Sequence, residues 1–152
     1  MYYLCSIGSN LKPRQHVRQV IGELLQQFGQ LSLSSIIRTE PVGMSSHNDF
    51  LNCLFVLQSD LDAATLKRHF VELEGAHGRD RSDPQCKVRD RPLDIDILAG
   101  RERADFTDVE VDSYLSGLLA ELYGTPLPAE RKVGLRPLGR VVGRKPCQLS
   151  LH

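Results

Sequence analysis

Apolar positions along this chain recur with two alternating periods. Residues 2–7 (Y-Y-L-C-S-I) are rich in β-formers and close on the turn-forming Gly8-Ser9-Asn10, which predicts a first strand. From Pro13 to Phe28 the spacing changes. Val17, Val20, Ile21, Leu24, Leu25 and Phe28 return every three or four residues, one apolar stripe on a helix that ends near Gly29. Pro13 suits its first turn, where the missing N–H costs nothing. Residues 31–39 alternate early and are rich in Ser, Ile and Thr, a second strand. The loop that follows, E-P-V-G-M-S-S-H-N-D, is long for a hairpin and reads as a working loop. Residues 50–57 (F-L-N-C-L-F-V-L) are apolar on both faces, so this third strand should be central. Asp60 or Asp62 then caps a helix reaching about Glu74, with Leu66, Phe70 and Leu73 as its stripe.

The next apolar run, L-D-I-D-I-L at 93–98, alternates strictly and predicts a fourth strand. The order β-α-β-β-α-β is the split arrangement of a ferredoxin-like α+β sandwich, an antiparallel sheet with helices on one face. Beyond Gly100 the pattern predicts a short strand at 109–111, a helix at 113–123 and an irregular remainder. The whole, 1–152, reads as one domain with a core at 1–100 and a C-terminal extension at 101–152.

Composition leaves that picture intact. A chain of 152 residues, 41% apolar and 25% charged, suits one soluble domain. Lys plus Arg equal Asp plus Glu at 19 each, so no net field favours nucleic acid or a membrane surface. No apolar stretch nears the ~18 residues of a membrane span, and Met1 leads straight into a strand, so a cytoplasmic protein is expected. The four cysteines (Cys5, Cys53, Cys86, Cys147) lack metal or redox spacing and read as free thiols. Charge is uneven near the end. From 101 to 124 there are two basic residues against six acidic, net −4; from 125 onward there are six against one, net +5. Either these segments meet in an ionic contact, or the basic tail meets an anion.

The candidate chemistry sits on the fourth strand. Alternation puts Asp94 and Asp96 on one face and Leu93, Ile95 and Ile97 on the other. Two carboxylates ~7 Å apart along a strand repel unless a cation lies between them, and oxygen ligands of this kind suit Mg2+. Taken alone, the pair reads first as a solvated strand face. The preceding loop changes the balance. Arg79, Arg81, Lys87, Arg89 and Arg91 bring five positive charges in thirteen residues against three acids. Guanidinium groups beside a Mg2+ face make a polyphosphate clamp, and a solvated, internally paired loop is the alternative. There is no P-loop, no G-x-S-x-G and no zinc-binding histidine spacing, which removes those routes.

Four collinear pieces, I-G-S-N-L, R-T-E-P-V-G, D-F-L-N-C and R-P-L-D-I-D-I-L, make residues 1–100 resemble the 6-hydroxymethyl-7,8-dihydropterin pyrophosphokinases of folate biosynthesis. The resemblance implies ATP as co-substrate, two Mg2+ ions and transfer of a pyrophosphoryl group to the pterin hydroxymethyl oxygen. By position it implies Asp94 and Asp96 as metal ligands, and Gly8, Thr39, Val42, Phe50 and Asn52 around the pterin. It implies Arg79, Arg81 and Arg91 as catalytic cations, with Glu74, Arg81, Arg91 and Ile97 near the nucleotide. Partners would be the small-molecule pterin and ATP, without nucleic acid or membrane, in a monomer or weak homodimer. From Arg101 onward the chain departs from the family's usual Pro-His and Arg-x-Phe segments. A divergent member that binds a pterin or another nucleotide without this activity, or acts on a different substrate, is the alternative.

Overall fold

The computed structural model describes residues 1–41, 48–79 and 92–151. Among the described residues eleven elements follow one another, and the first seven build the expected core: β1 (Tyr2–Ser9), α1 (Pro13–Phe28), β2 (Gln30–Leu33), β3 (Ile37–Thr39), β4 (Phe50–Gln58), α2 (Ala63–Ala76) and β5 (Asp94–Arg101). The extension adds α3 (Ser113–Leu122), two 3-10 turns and β6 (Cys147–Ser150). The sheet runs β5-β1-β4-β2-β6, with β3 also on β4, and all its pairings are antiparallel.

Successive residues of β1 and β4 face different layers because side chains alternate along a strand. Tyr3, Cys5 and Ile7 with Cys53, Phe55 and Leu57 pack against Val17, Ile21 and Leu24 of α1 and Leu66 and Phe70 of α2. Leu4, Leu54 and Val56 face the other way, onto Leu115, Leu118 and Leu119 of α3 and onto Phe106. The two core helices therefore share one face as expected, and the extension's helix covers part of the second.

Local chemistry explains the element ends. Gly29 terminates α1 at φ 81°, a left-handed geometry that costs glycine little, and its N–H returns to the Leu25 carbonyl. Asp62 caps α2 by accepting the Thr65 amide at 2.8 Å.

Three expectations change. The single strand at 31–39 is two. Between the Leu33–Phe55 and Ile37–Asn52 pairs, one strand advances four residues while β4 advances three. That extra residue is a bulge, and Ser34 Oγ bridges it by accepting the Leu54 amide at 2.8 Å. Residues 109–111 form no strand; Val109 and Val111 pack instead beside the α3 cluster. The remainder is not wholly irregular, because β6 pairs with β2 from Gln30–Ser150 to Leu33–Cys147.

The basic tail crosses the sheet edge farthest from β5. Its turn at Pro137–Gly139 lays Leu138 against Gly22 of α1, where an added Cβ would come within 3.3 Å of Leu138 Cγ. Arg140 donates to the Ser150 carbonyl at 2.8 Å. The two unevenly charged segments meet in an ionic contact, Lys132 Nζ to Glu121 at 2.7 Å, with side chains 10% and 7% exposed.

Candidate active site

Register brings the predicted residues into one row. Gly8 of β1 lies opposite Asn52 of β4 on one side and Asp94 of β5 on the other, and Ser6 lies likewise between Leu54 and Asp96. Paired residues share a face, so the Asn52 amide and both carboxylates look out from the same side of the sheet. Gly8 is what makes room: a Cβ there would stand 2.9 Å from Asn52 Oδ1 and 3.7 Å from the Phe50 ring. Asn52 is 7% exposed, and its Nδ2 donates to Thr39 Oγ1 at 2.5 Å. That bond fixes which way the amide points and leaves its oxygen toward Gly8. Phe50, paired with Thr39 across the strands, is half-buried at the rim.

The carboxylates are braced from α2. Arg79, just past that helix, donates through Nη1 to Asp94 at 2.6 Å and to Glu74 at 2.9 Å, and also reaches the Leu93 carbonyl at 3.4 Å. Glu74 is 1% exposed, and its Oε2 additionally accepts the Ile95 amide at 2.8 Å. On the second carboxylate, Lys67 Nζ stands 3.5 Å from Asp96 Oδ1 and donates to the Ile95 carbonyl at 3.1 Å. Burial first, then the charge of Asp94, raises the Asp96 carboxyl above its ordinary range, while Lys67 pulls it down. Two neighbouring carboxylates on one face, Asp94 19% and Asp96 48% exposed, fit a hard divalent cation.

The extension looks onto the same ground. Tyr114, in the first turn of α3, donates to Asp112 at 3.3 Å. Burial, then Asp112, then Asp94 and Asp96 push its phenol up to about 12. Asp108, farther along, is engaged by Arg101 at 2.5 Å.

Not every expected residue converges. Ile97 belongs to the opposite face and packs beside the helix-side core. Glu74 acts behind the strand as a brace. Val42, Arg81 and Arg91 lie outside the described residues. Lys67 was not anticipated, since nothing in its neighbourhood marks it; only its position seven residues before Glu74, two helical turns, places both on the face that meets β5. A separate groove of about 560 Å3 opens beside α1, on the helix side of the sheet, where His77 pairs with Glu23 at 2.6 Å and with His16 at 2.8 Å. The described cysteines are free thiols; Cys5 and Cys53 are buried, and burial pushes Cys53 up to about 12. No described helix is long and apolar enough to cross a membrane.

Fold and site together define a ferredoxin-like α+β protein whose sheet carries an acid pair flanked by cations, an arrangement suited to a metal and a phosphate. Residues 4–137 match the family described as 7,8-dihydro-6-hydroxymethylpterin-pyrophosphokinase, and the chain belongs to that family. The match extends well past residue 100, into the extension. The chain is 37% identical over 95 residues to the 2-amino-4-hydroxy-6-hydroxymethyldihydropteridine pyrophosphokinase of Porphyromonas gingivalis, covering 61% of this chain and 65% of that protein. It is 28% identical over 98 residues to the Campylobacter jejuni protein of the same name, covering 62% and 60%. The chain thus spans less than two thirds of the length of these curated relatives.

Proposed function

We propose that this protein transfers the pyrophosphoryl group of ATP to the hydroxymethyl oxygen of 6-hydroxymethyl-7,8-dihydropterin, releasing AMP, in folate biosynthesis. The observation that carries this reading is the row Asn52-Gly8-Asp94, which sets a fixed amide and a carboxylate pair side by side on one face.

The roles divide along the row. Asn52, oriented by Thr39, offers a carbonyl oxygen to a donor on the heterocycle edge, and Phe50 at the rim offers a ring face for stacking. Gly8 lets the ligand approach the sheet, and Val42 would present a backbone group to the heterocycle. At the other end Asp94 and Asp96 would hold Mg2+, two ions in this reading, which would neutralise phosphate charge and align the donor. Arg79 keeps Asp94 in place from behind. Arg81 and Arg91 would face the phosphates, and Ile97 would serve the nucleotide through its main chain.

Phosphoryl-type transfer needs little covalent work from the protein. The new bond joins the hydroxymethyl oxygen to the β-phosphorus, the bond between that phosphorus and the α-β bridging oxygen breaks, and AMP leaves as the hydroxyl proton passes to solvent. Positioning and charge neutralisation carry the rate, so no side-chain nucleophile is required. The test is AMP release from ATP, Mg2+ and the dihydropterin by the full chain. AMP formation dependent on both the metal and the pterin is expected. Pterin binding without AMP formation would instead identify a divergent, non-transferring member.

A further inference from the structure

Among the described residues β5 ends the sheet, so its outer backbone groups have no described strand to pair with. At Ile95, the residue between the two aspartates, α2 takes both of them. Glu74 Oε2 accepts the amide at 2.8 Å, and Lys67 Nζ donates to the carbonyl at 3.1 Å. Two side chains of one helix face thereby replace a neighbouring strand. The same ammonium stands 3.5 Å from Asp96, as Arg79 stands 2.6 Å from Asp94, so each carboxylate already faces a cation of this chain.

We infer that Lys67 is a positioning residue that makes divalent-cation loading depend on polyphosphate. The inference rests on the metal and nucleotide reading of the site. An ammonium beside Asp96 repels a bare divalent ion approaching the same carboxylate and competes with it for the oxygen. A nucleotide polyphosphate reverses that sign, because it brings negative charge that the ammonium attracts. Lys67 therefore weakens binding of the ion alone and strengthens binding of the ion together with the nucleotide. A residue that merely held β5 in place would strengthen both.

Lys67→Met keeps the aliphatic stem and removes the charge; Lys67→Arg keeps the charge. Mn2+ binding to the full chain is measured by electron paramagnetic resonance, and binding of α,β-methylene-ATP with Mn2+ by calorimetry. The expected result for Lys67→Met is an affinity about five-fold higher for Mn2+ alone and about five-fold lower for the analogue, the scale of a half-exposed charge. Lys67→Arg should restore both. Affinities that move in the same direction, affinities that do not move, an arginine variant that behaves like methionine, or a wild type that binds no Mn2+ even with the analogue would each overturn the inference. AMP release by the wild type reports separately: its absence alongside opposed shifts retires the reaction and keeps the role of Lys67, and its presence alongside parallel shifts does the reverse.

Discussion

Two clusters of buried charge stand on opposite parts of this molecule. At α3 and the tail, Glu121 and Lys132 form a closed pair, and the Ser35 amide contacts the same carboxylate at 3.3 Å. Beside β5, Glu74 and Arg79 are equally buried, yet Arg79 is shared with Asp94, and Asp96 stands half-exposed next to it. The first cluster joins a segment of net −4 to one of net +5 and locks the extension onto the sheet. The second holds carboxylate in excess on an open face. A closed pair has no charge to offer a ligand. An open one, kept in place by a buried brace, does.

Removing the cation from each cluster should separate these roles most sharply. Arg79→Met takes the guanidinium away from both Glu74 and Asp94, so we expect a loss of about 3–5 kcal/mol of stability and of at least about 100-fold in turnover. Lys132→Met strands Glu121 and should cost a similar amount of stability, read by chemical denaturation, while the folded fraction turns over at the wild-type rate. Equal losses of turnover would break the distinction.

Asn52→Ala should act on the substrate end alone. Losing one oriented amide should raise the pterin KM by about ten- to a hundred-fold, leave the KM for ATP near the wild-type value, and cost about 1–3 kcal/mol of stability as the buried bond to Thr39 is lost. Smaller again is the effect of replacing the closed pair whole. Glu121→Leu with Lys132→Met should fall within about 1 kcal/mol of the wild type, since apolar packing often substitutes for a buried ion pair. Applied to Asp94 and Asp96, an apolar exchange should keep the fold and abolish turnover.

The smallest effect belongs to an exposed charge. The Thr65 amide holds the Asp62 carboxyl below its ordinary value of 3.8. A depressed folded value means the cap stabilises above that ordinary value and is lost as pH falls through the folded one. Asp62→Ala should therefore melt slightly earlier than the wild type at pH 7, and the difference should close in strongly acidic solution.

Periodicity made the core legible. The stripe from Val17 to Phe28, bounded by Pro13 and Gly29, marks α1 to the residue, and the alternation at Asp94 and Asp96 sets the face they occupy. Parity also decides against the Ile97 side chain, which alternation assigns to the core. What escaped depends on partners distant in sequence. The bulge at Ser34 exists because a serine hydroxyl replaces a backbone carbonyl opposite Leu54, and β6 exists because β2 leaves an edge to be paired. Lys67 escaped for the same reason: its meaning comes from a strand met 28 residues later.

Asp96→Ala tests most directly whether the carboxylate pair on β5 holds the metal that the transfer requires. That side chain is 48% exposed, so the fold should survive its loss. With wild-type melting confirmed, AMP release in saturating Mg2+, ATP and dihydropterin should fall by about 1,000-fold. A folded Asp96→Ala protein that releases AMP at the wild-type rate would contradict the account.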